Sequence, residues 1–207
     1  MDAKMAAGQV QAILAQLART ACFRGYRPWT VGSTGLLGAI AACLQGVLIP
    51  VPTDNLDAYV LLWLAVAGVS VVITGLELAF SYRATDSAWE RRLARQAVGQ
   101  FVPCLVAGAA ITWIITTYFW NAVELLPGLW ALCFALGVFA SRPYLTHEVA
   151  WIAVHYLLSG VIAILLAPTP WALHPLVMGI TFGGGQLAMA WVLARGEARS
   201  DEDYVDG

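Results

Sequence analysis

"YVLLWLAVAGVSVVITGLELAFSYR" occupies residues 59–83, and its reading decides the fold. A hydrocarbon core about 30 Å thick is crossed by roughly 20 apolar residues in a helix that rises 1.5 Å per residue. This run is long enough. One carboxylate, Glu77, interrupts it a short way before Arg83. A charge at mid-depth costs roughly 2.5–3.5 kcal/mol and less near an edge, so Glu77 requires a shallow position, a proton or a partner.

Five further segments resemble this one in length and polarity. The spans are expected near 29–50, 57–82, 97–119, 123–140, 148–167 and 171–194. The 207 residues are 60% hydrophobic and 12% charged, about half the charged share of a soluble domain. The fold class is therefore all-α, a polytopic membrane protein with six transmembrane helices in one unit over 29–194. Ser141-Arg142-Pro143 separates segments four and five, and "RATDSAWERRLARQ" (83–96) separates two and three.

Orientation follows from the basic residues. Lys4, Arg19, Arg24 and Arg27 precede span one; Arg83, Arg91, Arg92 and Arg95 lie between two and three; Arg142 lies between four and five; Arg195 and Arg199 follow six. All 11 fall on one side. The opposite connections hold Asp54, Asp57, Glu124 and His174 but no Lys or Arg. Cytoplasmic loops carry the excess of Lys and Arg, which places both termini in the cytoplasm. Tyr26, Trp29, Tyr82, Trp89 and Tyr144 cluster at the basic side, with Tyr59, Trp63, Tyr118, Trp120 and Trp171 at the other, as two interfacial belts.

The flanks differ from the spans. Within residues 1–28, Val10, Ile13, Leu14, Leu17 and Ala21 recur at helical spacing, which predicts an amphipathic helix in the cytoplasmic interface or docked on a partner. Scattered Gln and Arg there also argue against a cleavable signal. Residues 195–207 are acidic without an apolar face, and a disordered cytoplasmic tail is expected. Cys22, Cys43, Cys104 and Cys133 are dispersed among apolar neighbours, so neither a disulfide framework nor a metal site is expected. A net charge of −2 without a basic face argues against a nucleic-acid partner.

Gly179 and Gly183, followed by Gly184 and Gly185, let helix backbones approach within the bundle or between copies, and Gly35/Ala39 and Gly38/Ala42 repeat the theme in span one. The glycine run also weakens its helix, so packing and a break in span six stay open. Spans three and six share little beyond a Gly-Gln pair, which is too little for an inverted repeat.

Polar groups at one depth are the candidate site. Glu77, Gln100, His155 and Gln186 each lie in the cytoplasmic half of a different span, and polar groups in lipid must find partners. Structural hydrogen bonding is one reading; a pocket that moves protons through a Glu–His pair is the other. Recognised catalytic patterns are missing. "HEVAW" opens like a zinc-protease helix but carries Trp151 where the second histidine must stand. No enzyme activity and no cofactor are expected.

The run "LPGLWALCFALGVFASRPYL" (126–145), with "FRGYRPWT" ahead of span one, resembles a group of uncharacterised small bacterial inner-membrane proteins with several spans. The resemblance implies a bacterial cytoplasmic membrane and brings no activity, substrate or cofactor.

Two functions follow as expectations. One is a scaffold, regulatory or accessory subunit that binds another membrane or cytoplasmic protein, with Arg91, Arg92 and Arg95 as docking or lipid contacts. The other is a small-solute or proton-coupled transporter built on the polar cluster. Both need the same topology, which is directly measurable. Single cysteines placed at Asp54 and Arg92 in a cysteine-free chain should react with a membrane-impermeant maleimide from opposite compartments; labelling of both from one side would overturn the six-span reading.

Overall fold

The computed structural model describes residues 27–84, 88–142 and 148–205. The amphipathic helix expected over 1–28 lies outside the described residues apart from its last two positions. Helix α1 (Pro28–Leu48) starts with proline in its first turn, where the ring presets φ and no donor is lost. A 3₁₀ turn, Pro52–Asp54, leads to α2 (Leu56–Ala84), and Asn55 Oδ1 accepts a hydrogen bond from the Ala58 amide at its start.

Helix α3 (Ala88–Tyr118) is longer than its apolar part, which begins at Val98. Residues 88–96 of the polar stretch between spans two and three are therefore its first turns, and Arg91, Arg92 and Arg95 stand on a helix. A 3₁₀ segment, Trp120–Leu125, turns the chain into α4 (Leu126–Ser141), and α5 covers Val149–Leu166.

The sixth rod is composite. It joins α6 (Pro175–Met178), a π-helical turn (Gly179–Gly184) and α7 (Gly185–Val205). The glycine run thus widens the helix without breaking it, and all its φ values are negative. The helix also continues to Val205, where acidic composition predicts a disordered tail. Residues 197–205 contain neither proline nor glycine, so nothing in them stops the ladder propagating from a rigid rod.

Six helical stretches are long and apolar enough to cross a membrane: Pro28–Leu48, Leu56–Ala84, Val98–Tyr118, Trp120–Ser141, Val149–Leu166 and Pro175–Gly196. Their lateral order is α2, α1, sixth rod, α5, α4, α3. The arrangement is an open ring. Its two end members, α2 and α3, are consecutive in the chain yet scarcely touch. Only 17% of the most apolar window of α2 is buried and 11% of that of α3, against 33–44% elsewhere.

Close backbone contact holds the ring. A Cβ on Gly35 would stand 2.9 Å from the Leu187 nitrogen, and one on Gly183 would stand 3.1 Å from the Ala39 nitrogen. Gly38 faces Gly183, and Gly179 faces Ala42. The four glycines singled out in the sequence therefore lie in one interface, between α1 and the sixth rod. A second crossing joins α4 to α5, where a Cβ on Gly128 would stand 2.8 Å from the Gly160 carbonyl oxygen.

Two core clusters stack along the ring. One gathers Tyr59, Trp63, Val123, Leu126 and Leu173 at the end carrying the acidic connections; the other gathers Val31, Ala135, Val149, Tyr156 and Met189 towards the arginine-bearing end. Within the first, the fully buried Gln45 donates from Nε2 to the Leu173 carbonyl at 2.7 Å and accepts from Trp63 Nε1 at 2.9 Å. It ties α1 to α2 and to the turn before the sixth rod. Gln45→Leu keeps the volume but removes the partner of both groups. A loss of about 1–3 kcal/mol is expected, measured as unfolding free energy in bicelles by steric trapping; an unchanged value would mean the network adds nothing.

Candidate functional site

The gap between α2 and α3 is a groove with two lobes. The lobe towards the arginine-bearing end encloses about 260 Å³ and the other about 710 Å³. They meet at residues that include Thr34, Ser70, Val71, Leu105, Phe134 and Gln186, so the groove runs along most of the ring's height. Its walls are apolar side chains with a few hydroxyls and one amide.

The wall contributed by α2 is a broad face that runs from Trp63 to Leu78 and includes Gly68 and Gly75. The α3 wall runs from Val98 to Thr112 and includes Gly108. Neither wall is covered. A Cβ added to Gly68, Gly75 or Gly108 would meet nothing within 4 Å, whereas the glycines of the α1–sixth rod and α4–α5 contacts are closely packed.

Each wall is anchored on its far side. Trp63 holds α2 to α1 through Gln45. Trp130 Nε1 donates to Thr112 Oγ1 at 2.7 Å, holding α3 to α4, and Thr112 Oγ1 donates onward to the Gly108 carbonyl.

The back of the groove is aromatic. Phe134 packs against Phe101 at 5.0 Å, Tyr156 at 4.6 Å and Phe182 at 5.9 Å between ring centroids. Here the π-helical turn meets α5. His155 Nε2 lies 3.3 Å from the Thr181 carbonyl oxygen, which it reaches as a donor in the Nε2–H tautomer. Tyr156 is fully buried, and its ring occupies the place a side chain on Gly185 would need. Its hydroxyl has no hydrogen-bond partner.

The four polar residues singled out in the sequence go separate ways. Glu77 Oε1 lies 4.0 Å from Arg27 Nε, beyond hydrogen-bonding distance, and is itself buried without a hydrogen bond. His155 binds the π-helical turn. Gln186 is half-buried in the groove at the junction of the lobes, and Gln100 is exposed. No hydrogen bond or ion pair links any two of them.

Among the arginines, Arg91 lies 6.0 Å from the Tyr82 ring centroid, while Arg92 and Arg95 are exposed. Arg195 stacks 3.7 Å over Trp191. Among the described residues, no three His, Cys, Asp or Glu side chains converge as metal ligands would. Cys104 and Cys133 both line the larger lobe as free thiols.

Sequence reasoning missed the groove, Gln45 and the Gly128/Gly160 crossing. No family model, characterised protein or solved structure matches this chain.

Gly185 and Tyr156 give opposite expectations. Gly185→Ala places a methyl 2.6 Å from Tyr156 Cζ in a fully packed site, and overpacking of that kind costs about 1–3 kcal/mol. Tyr156→Phe removes an unpartnered buried hydroxyl and should leave stability unchanged or raise it by up to about 1 kcal/mol. Thermal unfolding in detergent distinguishes them; a destabilised Tyr156→Phe protein would reveal a partner for that oxygen.

Proposed function

We propose that the chain is a six-span integral membrane protein of a bacterial inner membrane, with both termini cytoplasmic. In this reading it works without chemistry, as a scaffold or accessory subunit that receives a transmembrane helix of another chain in the groove between α2 and α3. The exposed apolar perimeter, including Leu61, Val106, Trp151 and Leu165, supports immersion in lipid. The one-sided arginines support the orientation, and the likeness of 126–145 to small bacterial inner-membrane proteins supports the compartment.

The observation that carries the function is the open groove between α2 and α3, with Gly68, Gly75 and Gly108 unpacked on its walls. Glycine weakens a helix by about 1 kcal/mol relative to alanine, and a lipid chain gains nothing from it. A docking helix does, because small residues let its backbone approach closely. Arg92 and Arg95, exposed on the first turns of α3, add attraction to anionic headgroups at about 1 kcal/mol each. The transporter reading has less behind it: Glu77 lies near Arg27, His155 binds Thr181, and the groove joining the two lobes is largely apolar.

Isolation from native membranes in mild detergent should yield an assembly of more than one chain. Combining Gly68→Leu with Gly108→Leu, which fills the groove without disturbing packed neighbours, should release this protein from it. Repeated recovery of a monodisperse single chain from wild-type membranes would reject the reading.

A further inference from the structure

Polar side chains of three helices converge where the two lobes of the groove meet. We infer that the partner helix carries an asparagine or glutamine at this depth, whose carboxamide pairs with Gln186. This rests on the helix-receiving reading above and names the chemistry of the partner.

The three side chains are Thr34 from α1, Ser70 from α2 and Gln186 from the sixth rod, and each lines both lobes. Thr34 is buried, and its hydroxyl donates to the Val31 carbonyl at 2.8 Å. The other two differ. Among the described residues, neither the Ser70 hydroxyl nor the Gln186 carboxamide has a hydrogen-bond partner. Both stand at mid-height, Ser70 midway along α2 and Gln186 midway along Pro175–Gly196. In lipid that is the depth at which an unpaired polar group costs most. The stem of Gln186 is held in place, because a Cβ on Gly35 of α1 would stand 3.0 Å from its own Cβ.

The lining decides what the partner presents. Among the described residues, no Lys, Arg, His, Asp or Glu lines either lobe, so a charged group entering here would have no counter-ion. A phospholipid brings no hydrogen-bonding group to mid-depth, because its ester carbonyls lie at the headgroup boundary. A hydroxyl would satisfy only one of the open positions. A carboxamide offers donor and acceptor together. With Gln186 it forms a reciprocal pair of N–H···O bonds, and it keeps a further N–H for the Ser70 oxygen.

The shape of the groove fits a side chain at this point. Helices α2 and α3 converge at the arginine-bearing end, where Arg91 lies 6.0 Å from the Tyr82 ring centroid, and the larger lobe is at the other end. The partner helix therefore lies across the open side of the groove, and its carboxamide alone reaches the junction. Gly68 and Gly108, one on each wall of the larger lobe, leave room for its backbone to come near.

A diazirine side chain at Val71, which lines both lobes, captures what lies at the junction when irradiated in native membranes. Mass spectrometry of the adduct should place the attachment on a transmembrane helix within one turn of an Asn or Gln. Gln186→Leu should cut the adduct yield by roughly tenfold and Ser70→Ala by about threefold. Both variants should match the wild-type thermal unfolding in detergent, since no hydrogen bond within the chain is lost. Gln100→Leu makes the same chemical change at an exposed position outside the groove and should leave the yield intact. Attachment to a helix without Asn or Gln in that turn, or a yield indifferent to both variants, overturns the carboxamide pairing and preserves the helix-receiving groove. Adducts to lipid or another small molecule alone overturn both.

Discussion

In the lipid surround proposed for this chain, as apolar as the helices themselves, hydrophobic contrast cannot press one rod against another, and contact must come from close packing. In this bundle the decisive contact is backbone on backbone between α1 and the sixth rod. Gly35, Gly38, Gly179 and Gly183 bring main-chain atoms so near that a methyl at Gly35 or Gly183 would stand about 3 Å from a main-chain nitrogen of the facing helix. The sixth rod in turn touches α5, so this crossing joins the half containing α1 and α2 to the half containing α3, α4 and α5. Without it the ring would be two separate groups of helices.

The π-helical turn lets one rod serve both halves. Residues in an α-helix are 100° apart, so Gly183 and Gly185 already point to nearly opposite faces. Gly183 meets Ala39 of α1, and Gly185 meets Tyr156 of α5. Widening the helix over Gly179–Gly184 shifts the register between the upper and lower parts of the rod. The Thr181 carbonyl of the widened turn lies 3.3 Å from His155 Nε2, so the histidine singled out for proton movement stands against this turn.

The same contrast explains how far the sequence can be read. The number of long apolar helices follows from apolar length, because that obeys the solvent and needs no knowledge of neighbours. The opening problem of Glu77 has a local answer too: its carboxylate sits near Arg27 at the start of α1, and both residues were visible as one charge of each sign beside the same end of adjacent spans. Contacts set by helix order were not legible. Depth alone put Glu77, Gln100, His155 and Gln186 together, but the ring order and the face each residue occupies keep them apart. Gln45 escaped because it lies at the other end of its span, where its partners are an indole and a turn carbonyl that no polarity scan would select.

The groove also persists for a physical reason. Two apolar walls with nothing between them would be expected to close, yet each is tied to its outer neighbour by a tryptophan N–H. Trp63 fastens α2 to the buried Gln45 of α1, and Trp130 of α4 fastens α3 through Thr112. Moving either wall inward would draw an indole N–H away from its acceptor, the buried one of Trp63 or the half-buried one of Trp130. Trp63, Thr112 and Trp130 themselves line the larger lobe. The residues that shape the cavity therefore also hold its walls apart, and in the helix-receiving reading proposed above the incoming helix would lose little free energy to reordering them.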